Sequence, residues 1–89
     1  MKPMKKPKDL TFNGFQYFKM SNWEKRTVQE HVYHRLHEIM LWNEEHEGII
    51  YDIEYYYSIA LHNASLKEDY ELCQALKDSA ELFEIELDV

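Results

Sequence analysis

The placement of proline and glycine constrains this fold more than any other feature of the sequence. Both prolines, Pro3 and Pro7, lie close to the N-terminus, and no proline follows in the rest of the 89-residue chain. The two glycines are Gly14 and Gly48. Because proline and glycine are the residues that most often interrupt regular structure, their absence over long stretches permits long helices.

The first predicted helix has a start signal and an end signal. Ser21 and Glu24 fit the capping box, in which two side chains satisfy N–H groups at a helix N-terminus reciprocally. Gly48 suits the position just after a helix C-terminus. These signals, with apolar residues at helical spacing between them, predict a helix at about 22–47 with one buried stripe. The stripe consists of Val28, Val32, Leu36, Ile39 and Met40, with Tyr33 beside it.

The second predicted helix, at about 49–63, is apolar on two sides. Tyr51, Tyr55 and Ile59 lie on the side opposite to its main apolar face. A helix of this kind is either central in its domain or covered by a partner. The main face consists of Ile49, Ile50, Ile53, Tyr57, Ala60, Leu61 and Ala64.

The third predicted helix, at about 66–86, follows a second capping box formed by Ser65 and Glu68. Its apolar residues step by three and four, which is typical of a seam between packed helices. The seam residues are Cys73, Leu76, Ala80, Phe83 and Leu87. Three helices with short connections predict an all-α fold, a small three-helix antiparallel bundle.

The N-terminal residues are predicted to differ from the bundle. Residues 1–9 are basic and contain both prolines, and we expect them to form a flexible tail. Residues 10–20 are rich in aromatic side chains and contain Asn13-Gly14, which is a strong hairpin signal. We expect a short aromatic arm or hairpin there. Together with the helices it belongs to a single domain at 10–89.

Charge is divided unevenly along the chain, whose total is −7. Residues 1–35 carry eight basic and three acidic side chains, whereas residues 36–89 carry fourteen acidic side chains and two lysines. This acidic excess is larger than solubility needs, since a net magnitude of about 2–8 suffices for a whole small domain. Such a surface repels phosphate backbones and attracts basic proteins. We therefore expect a protein partner with a basic surface and no direct binding of nucleic acid.

The surface predicted to bind the partner combines tyrosines of helix 2 with acidic residues of helix 3. Tyrosine is enriched at protein interfaces, and carboxylates strung along a helix can imitate a phosphate backbone. The chain is thus predicted to be a non-enzymatic interaction module, a regulator or inhibitor of a nucleic-acid-handling protein and a possible nucleic-acid mimic. A homo-oligomeric structural module, with a homodimer formed through the same side of helix 2, is an alternative. The predicted contact residues are Tyr51, Tyr55, Ile59, Glu71, Asp78, Glu81 and Glu84.

Three histidines on helix 1 follow one another at steps of three: His31, His34 and His37. Histidine clusters can bind metal ions or respond to pH near neutrality. The sequence lacks the His-Glu-x-x-His pattern of helical zinc sites. A solvated helix face is the favoured interpretation, so no metal ligand and no cofactor is predicted, while metal binding and pH sensing stay open as alternatives.

The segment Arg26-Thr-Val-Gln-Glu-His31 is similar to the R-x4-6-H element of the HEPN ribonuclease superfamily. The resemblance covers six residues, and Thr27 stands where that family usually has a stronger polar residue. It implies a helical bundle that dimerises and cleaves RNA, with Arg26 and His31 at the dimer seam. A HEPN-like ribonuclease is therefore the enzymatic alternative to the interaction module.

The remaining signals concern the cellular setting. Cys73 is the only cysteine, which excludes an internal disulfide and fits a reducing, cytoplasmic compartment. The chain has no apolar run of about 18 residues, the length a transmembrane helix needs. The basic N-terminus is not followed by the apolar region of a secretory signal. We expect a cytoplasmic protein without a membrane segment.

Overall fold

Three α-helices pack against one another in the structure, a computed structural model that describes residues 16–87. A short 3₁₀ turn, Tyr17–Lys19, precedes the helices α1 (Asn22–His46), α2 (Ile53–Leu66) and α3 (Tyr70–Leu82). No strand occurs within the described residues. The predicted all-α three-helix bundle is confirmed. The predicted tail at 1–9 and the predicted turn at Asn13-Gly14 lie outside the described residues.

The ends of α1 agree closely with the sequence signals. The Ser21 hydroxyl accepts a hydrogen bond from the Glu24 N–H, and the Glu24 carboxylate accepts one from the Ser21 N–H, each at 3.2 Å. This is the predicted capping box. Gly48 follows the helix with a φ of +66°, the left-handed conformation that glycine adopts without strain. Two independent signals therefore fix this helix.

The prediction that α2 begins at 49 is wrong, since the helix begins at Ile53. Asp52 has an extended backbone, with φ −70° and ψ 158°, and its carbonyl accepts the Tyr55 N–H at 3.0 Å. Because the residue that caps a helix N-terminus has non-helical dihedral angles, the helix cannot include the residues before it. The segment 49–51 instead forms an exposed connection between α1 and α2.

The predicted capping box at the start of α3 is also wrong. Ser65 lies inside α2, and Glu68 adopts a left-handed φ of 57° just after that helix. Asp69 caps α3 instead, because its carboxylate accepts the Leu72 N–H at 3.2 Å. The N–H groups of Glu68 and Asp69 meanwhile bond to the carbonyls of Ser65 and Ala64. These two bonds form a Schellman motif, which provides hydrogen-bond donors for the last carbonyls of α2. The helix ends there, at Leu66, and not at the predicted residue 63.

The C-terminal end of α3 is a second Schellman motif. The predicted end at 86 is wrong, because the helix stops at Leu82. The Glu84 N–H bonds to the Glu81 carbonyl at 3.2 Å and the Ile85 N–H bonds to the Ala80 carbonyl at 2.7 Å. Glu84 has a φ of 55°. The chain therefore turns away from the α3 axis at Glu84.

We expect Glu84→Gly to raise the free energy of unfolding by about 1 kcal/mol, since a non-glycine residue in the left-handed region costs about 1–2 kcal/mol. Part of that gain is offset by the larger conformational freedom of glycine in the unfolded chain. Urea unfolding measures the change. Glu81→Gly, inside α3, is the matched control and should lower the free energy of unfolding by about 1 kcal/mol. Destabilisation by both substitutions would contradict the prediction.

The core contains polar groups as well as apolar side chains. Tyr57 and Ser79 are fully buried beside the aliphatic residues. The Ser79 hydroxyl donates to the Gln29 carbonyl at 2.7 Å, and its oxygen lies 2.7 Å from the Tyr57 hydroxyl. Because a serine has one hydroxyl hydrogen, Tyr57 is the donor to Ser79. This chain of hydrogen bonds joins α2, α3 and α1. The apolar core residues are Val32, Leu36, Ala64, Leu72, Leu76 and Ala80.

Tyr17 attaches the start of the described chain to the bundle. The side chain is buried, and its hydroxyl donates to the Asp78 carboxylate at 2.5 Å. The same hydroxyl accepts a hydrogen bond from the Gln29 amide at 2.8 Å. A second amide, from Gln74, donates to the other oxygen of Asp78 at 2.9 Å. Asp78 is therefore engaged in holding the 3₁₀ turn against α3.

Candidate protein-binding surface

Two exposed tyrosines stack on each other where α2 begins. The rings of Tyr51 and Tyr55 lie with centroids 4.1 Å apart and planes 19° from parallel. Tyr55 also contacts Tyr56 edge-on at 5.4 Å, and Tyr56 is buried and accepts a hydrogen bond from the Asn43 amide. The stack is thus anchored to the core on one side. Tyr51 and Tyr55 keep 50% and 42% of their surface exposed.

An open concavity of about 550 Å³ lies beside this stack. The segment after α3 forms its other wall, because the turn at Glu84 directs the chain back toward the start of α2. None of the lysines and arginines between residues 16 and 87 lines the concavity. Its lining consists of Tyr51, Asp52, Glu54, Tyr55, Ser58, Glu86 and Leu87. We call this feature the tyrosine concavity.

The carboxylates of the tyrosine concavity have no ion-pair partner among residues 16–87. Within residues 16–87 the ion pairs are Arg26–Glu30 at 3.5 Å and Arg35–Glu38 at 4.0 Å, both on α1. The side chains of Asp52, Glu54 and Glu86 take part in neither. Since clefts lined by one sign of charge concentrate the electric field, the concavity attracts cations.

The predicted contact residues of helix 2 are exposed on one side of α2. Tyr51 and Tyr55 line the tyrosine concavity, while Ile59, one turn further along the helix, is exposed without lining it. Ile49 and Ile50 extend the exposed apolar surface along the connection that precedes α2. The sequence assigned these two isoleucines to the buried face, and the late start of α2 explains why they are exposed.

The predicted acidic contact residues do not act as one group. Glu81 and Glu84 are exposed. Asp78 is occupied by its hydrogen bonds to Tyr17 and Gln74. Glu71 is half-buried, and one of its carboxylate oxygens is inaccessible and has no hydrogen-bond partner. None of these four residues lines the tyrosine concavity, so the structure does not bring them together with the tyrosines.

Sequence reasoning missed the acids that do lie beside the tyrosines. Asp52 and Glu54 lie between Tyr51 and Tyr55 in the chain, and this proximity was a usable local signal. Glu86 carries no such signal. It reaches the concavity because the chain reverses at Glu84. The sequence does not indicate that reversal, since a glutamate seldom adopts the left-handed conformation.

Two of the three histidines spaced by three on α1, His34 and His37, contact the ring of Tyr33. Tyr33 stacks on His37 at 5.8 Å and contacts His34 edge-on at 5.6 Å. Tyr33 also stacks on Phe83 at the end of α3, with centroids 4.0 Å apart. His31 is exposed. Over the described part of the chain, no group of three or more His, Cys, Asp or Glu side chains is arranged to hold a metal ion.

Arg26 and His31 do not share a face of α1. Residues five positions apart lie roughly 140° apart around a helix of 3.6 residues per turn. Arg26 pairs with Glu30 instead. Within one chain the structure therefore does not bring Arg26 and His31 together.

No protein-family model, curated protein or solved structure was found to match this chain. Of the helices at 16–87, none has both the length and the apolar character needed to cross a lipid bilayer.

Proposed function

We propose that this chain is a small acidic interaction module that binds a basic surface of a protein partner. One observation carries the proposal. Among the acidic side chains after residue 36 that the structure describes, Glu38 alone forms an ion pair. Charge that is not compensated within the protein stays available to a partner, and complementary charge raises association rates and selects partners.

We further propose that the partner handles nucleic acid and that the module regulates or inhibits it. Proteins that bind DNA or RNA present basic surfaces that contact phosphates. The exposed carboxylates of Glu81 and Glu84 at the end of α3 can occupy such a surface in place of phosphates. In this proposal the chain acts as a nucleic-acid mimic, has no catalytic role, and does not bind nucleic acid itself.

We expect reversal of charge at Glu81 and Glu84, to lysine, to lower the rate of association with the partner by roughly tenfold at low ionic strength. The effect should shrink at physiological salt, where the screening length is about 8 Å. A protein captured by the wild-type chain is purified for this measurement, and surface plasmon resonance gives the rate. Glu71 and Asp78 are left intact because both are partly buried.

The control is charge reversal of the same size at Lys5 and Lys6, which should leave the association rate unchanged or raise it. A rate that is insensitive to the Glu81 and Glu84 reversals would contradict the proposal. If the chain is a nucleic-acid mimic, duplex DNA or RNA should compete with it for binding to the partner. Simultaneous binding of both would exclude mimicry while leaving an acidic interaction module.

Two alternatives remain distinguishable. The exposed side chains of Ile49, Ile50 and Ile59 favour a homo-oligomeric structural module, because exposed apolar surface marks interaction sites. Sedimentation of the purified chain alone decides between a dimer and a monomer. The HEPN-like alternative requires RNA cleavage by the purified protein that is lost in His31→Ala.

A further inference from the structure

We propose that the tyrosine concavity is a binding site for an arginine side chain of a basic protein segment. This inference rests on the proposed function, which requires a basic partner, and it names the place where that partner is recognised. The occupant is defined by three features of the concavity: its exposed aromatic rings, its unpaired carboxylates and its size.

The aromatic rings provide a stacking surface for a planar cation. Tyr51 and Tyr55 are held close to parallel, and Tyr56 fixes the inner ring from the core side. A guanidinium group stacks on aromatic faces and is attracted by their π electrons when it lies within about 6 Å of the ring centre. The protein already contains one such contact, since the Lys25 ammonium lies 5.6 Å from the centroid of the Tyr17 ring.

The carboxylates select a cation over other ligands. Asp52, Glu54 and Glu86 line the concavity together with the tyrosines, and no cation among residues 16–87 pairs with them. An anionic ligand would be repelled, and a neutral ligand would leave the negative charge uncompensated. Arginine fits best because its rigid fork of N–H donors matches a carboxylate in two parallel hydrogen bonds while its plane lies on a ring.

The size of the concavity suits a short peptide segment with one inserted side chain. Its volume of about 550 Å³ lies inside the range of about 300–1,000 Å³ found for ligand sites. Ser58, on the same wall, offers a hydroxyl that can donate to or accept from the peptide backbone. An arginine with its flanking residues therefore fills the space without needing the helices to move.

The test is isothermal titration calorimetry of the full-length protein with an acetylated tetra-arginine peptide. We expect binding that weakens roughly tenfold in Tyr51→Leu and in the double variant Asp52→Asn with Glu54→Gln, since each change removes one set of contacts to the cation. The double variant is isosteric, and Asp52 makes no side-chain capping bond. The matched control removes two charges elsewhere, as Glu81→Gln with Glu84→Gln, and should change the affinity less than twofold.

Several results would overturn the site. If the control weakens the peptide as much as the Asp52 and Glu54 variant does, the attraction is spread over the acidic surface, and the proposed function stands without this site. If a tetra-lysine peptide binds as tightly and is weakened by the same substitutions, the concavity does not select arginine over lysine. If the peptide does not bind while the captured partner still depends on Glu81 and Glu84, only the site fails. If the peptide does not bind and partner binding is also insensitive to Glu81 and Glu84, the proposed function is contradicted as well.

Discussion

Raising the pH from about 9 to 12 is expected to lower the free energy of unfolding of this protein by several kcal/mol. Burial raises the pKa of the Tyr57 phenol from 10.0 to about 12. Burial, together with the adjacent Asp78 carboxylate, raises the pKa of Tyr17 from 10.0 to about 12 as well. A phenolate at either place would lose its hydration and, at Tyr17, would also face a negative charge.

The direction of the effect follows from the protons held by each state. Between pH 10 and 12 the unfolded chain releases phenol protons that the folded chain keeps, so the free energy of unfolding falls as the pH rises. Below pH 10 both states hold these protons and the contribution is fully present. The difference between the folded and unfolded pKa contributes at most about 3 kcal/mol for each tyrosine. A loss of several kcal/mol is a large part of the stability of a small domain, which is about 5–15 kcal/mol.

Far-ultraviolet circular dichroism and urea unfolding at a series of pH values measure this loss. Tyr57→Phe should make the decline between pH 10 and 12 shallower, since one of the two phenols with a raised pKa is gone. Tyr70→Phe, at an exposed position on α3, should leave the decline as steep as in the wild type. An equal free energy of unfolding at pH 9 and pH 12 would contradict the prediction.

Leu76→Ala is expected to lower the free energy of unfolding by about 2–5 kcal/mol, the range found for truncation of a buried leucine. Leu76 is 0% exposed and lies in α3, the helix with the most extensive contacts to the other two. The loss combines the removed apolar contacts with the cavity left behind. Urea unfolding gives the value directly.

The control for this substitution is Leu66→Ala, at the end of α2, where the side chain is 70% exposed. Its effect should stay within about 0.5 kcal/mol. Equal losses in the two variants would mean that α3 does not lie at the centre of the core.

Helix boundaries were predictable from the sequence where a single capping residue or motif was available at the helix end. Ser21 with Glu24 and then Gly48 had no competitor nearby, and α1 agrees with the prediction at both ends. At the start of α3 two residues could cap, Ser65 and Asp69. The choice depends on whether α2 continues, and that is decided by burial of Ala64 against the other helices, which local sequence does not contain.

The candidate site was predictable only in part for a similar reason. Tyr51 and Tyr55 were expected on an outer side because helical spacing separates them from the main apolar face of α2. The role of Asp78 depends on Tyr17, which lies 61 positions away in the chain. A carboxylate on a polar helix face gives no local sign that a distant phenol will bond to it.

The hydrogen bonds from Tyr57 through Ser79 to Gln29 also bear on the order of folding events. Their partners are 22 and 50 positions apart in the chain. Contacts of such separation require loop closure beforehand, and this pair is complete only when all three helices have docked. Interactions that form after the transition state slow unfolding and leave the folding rate unchanged. Because these bonds need all three helices in place, we expect them to form late, so that Ser79→Ala speeds unfolding more than it slows folding, whereas loss of the self-contained capping box of α1 acts on how readily the first helix forms.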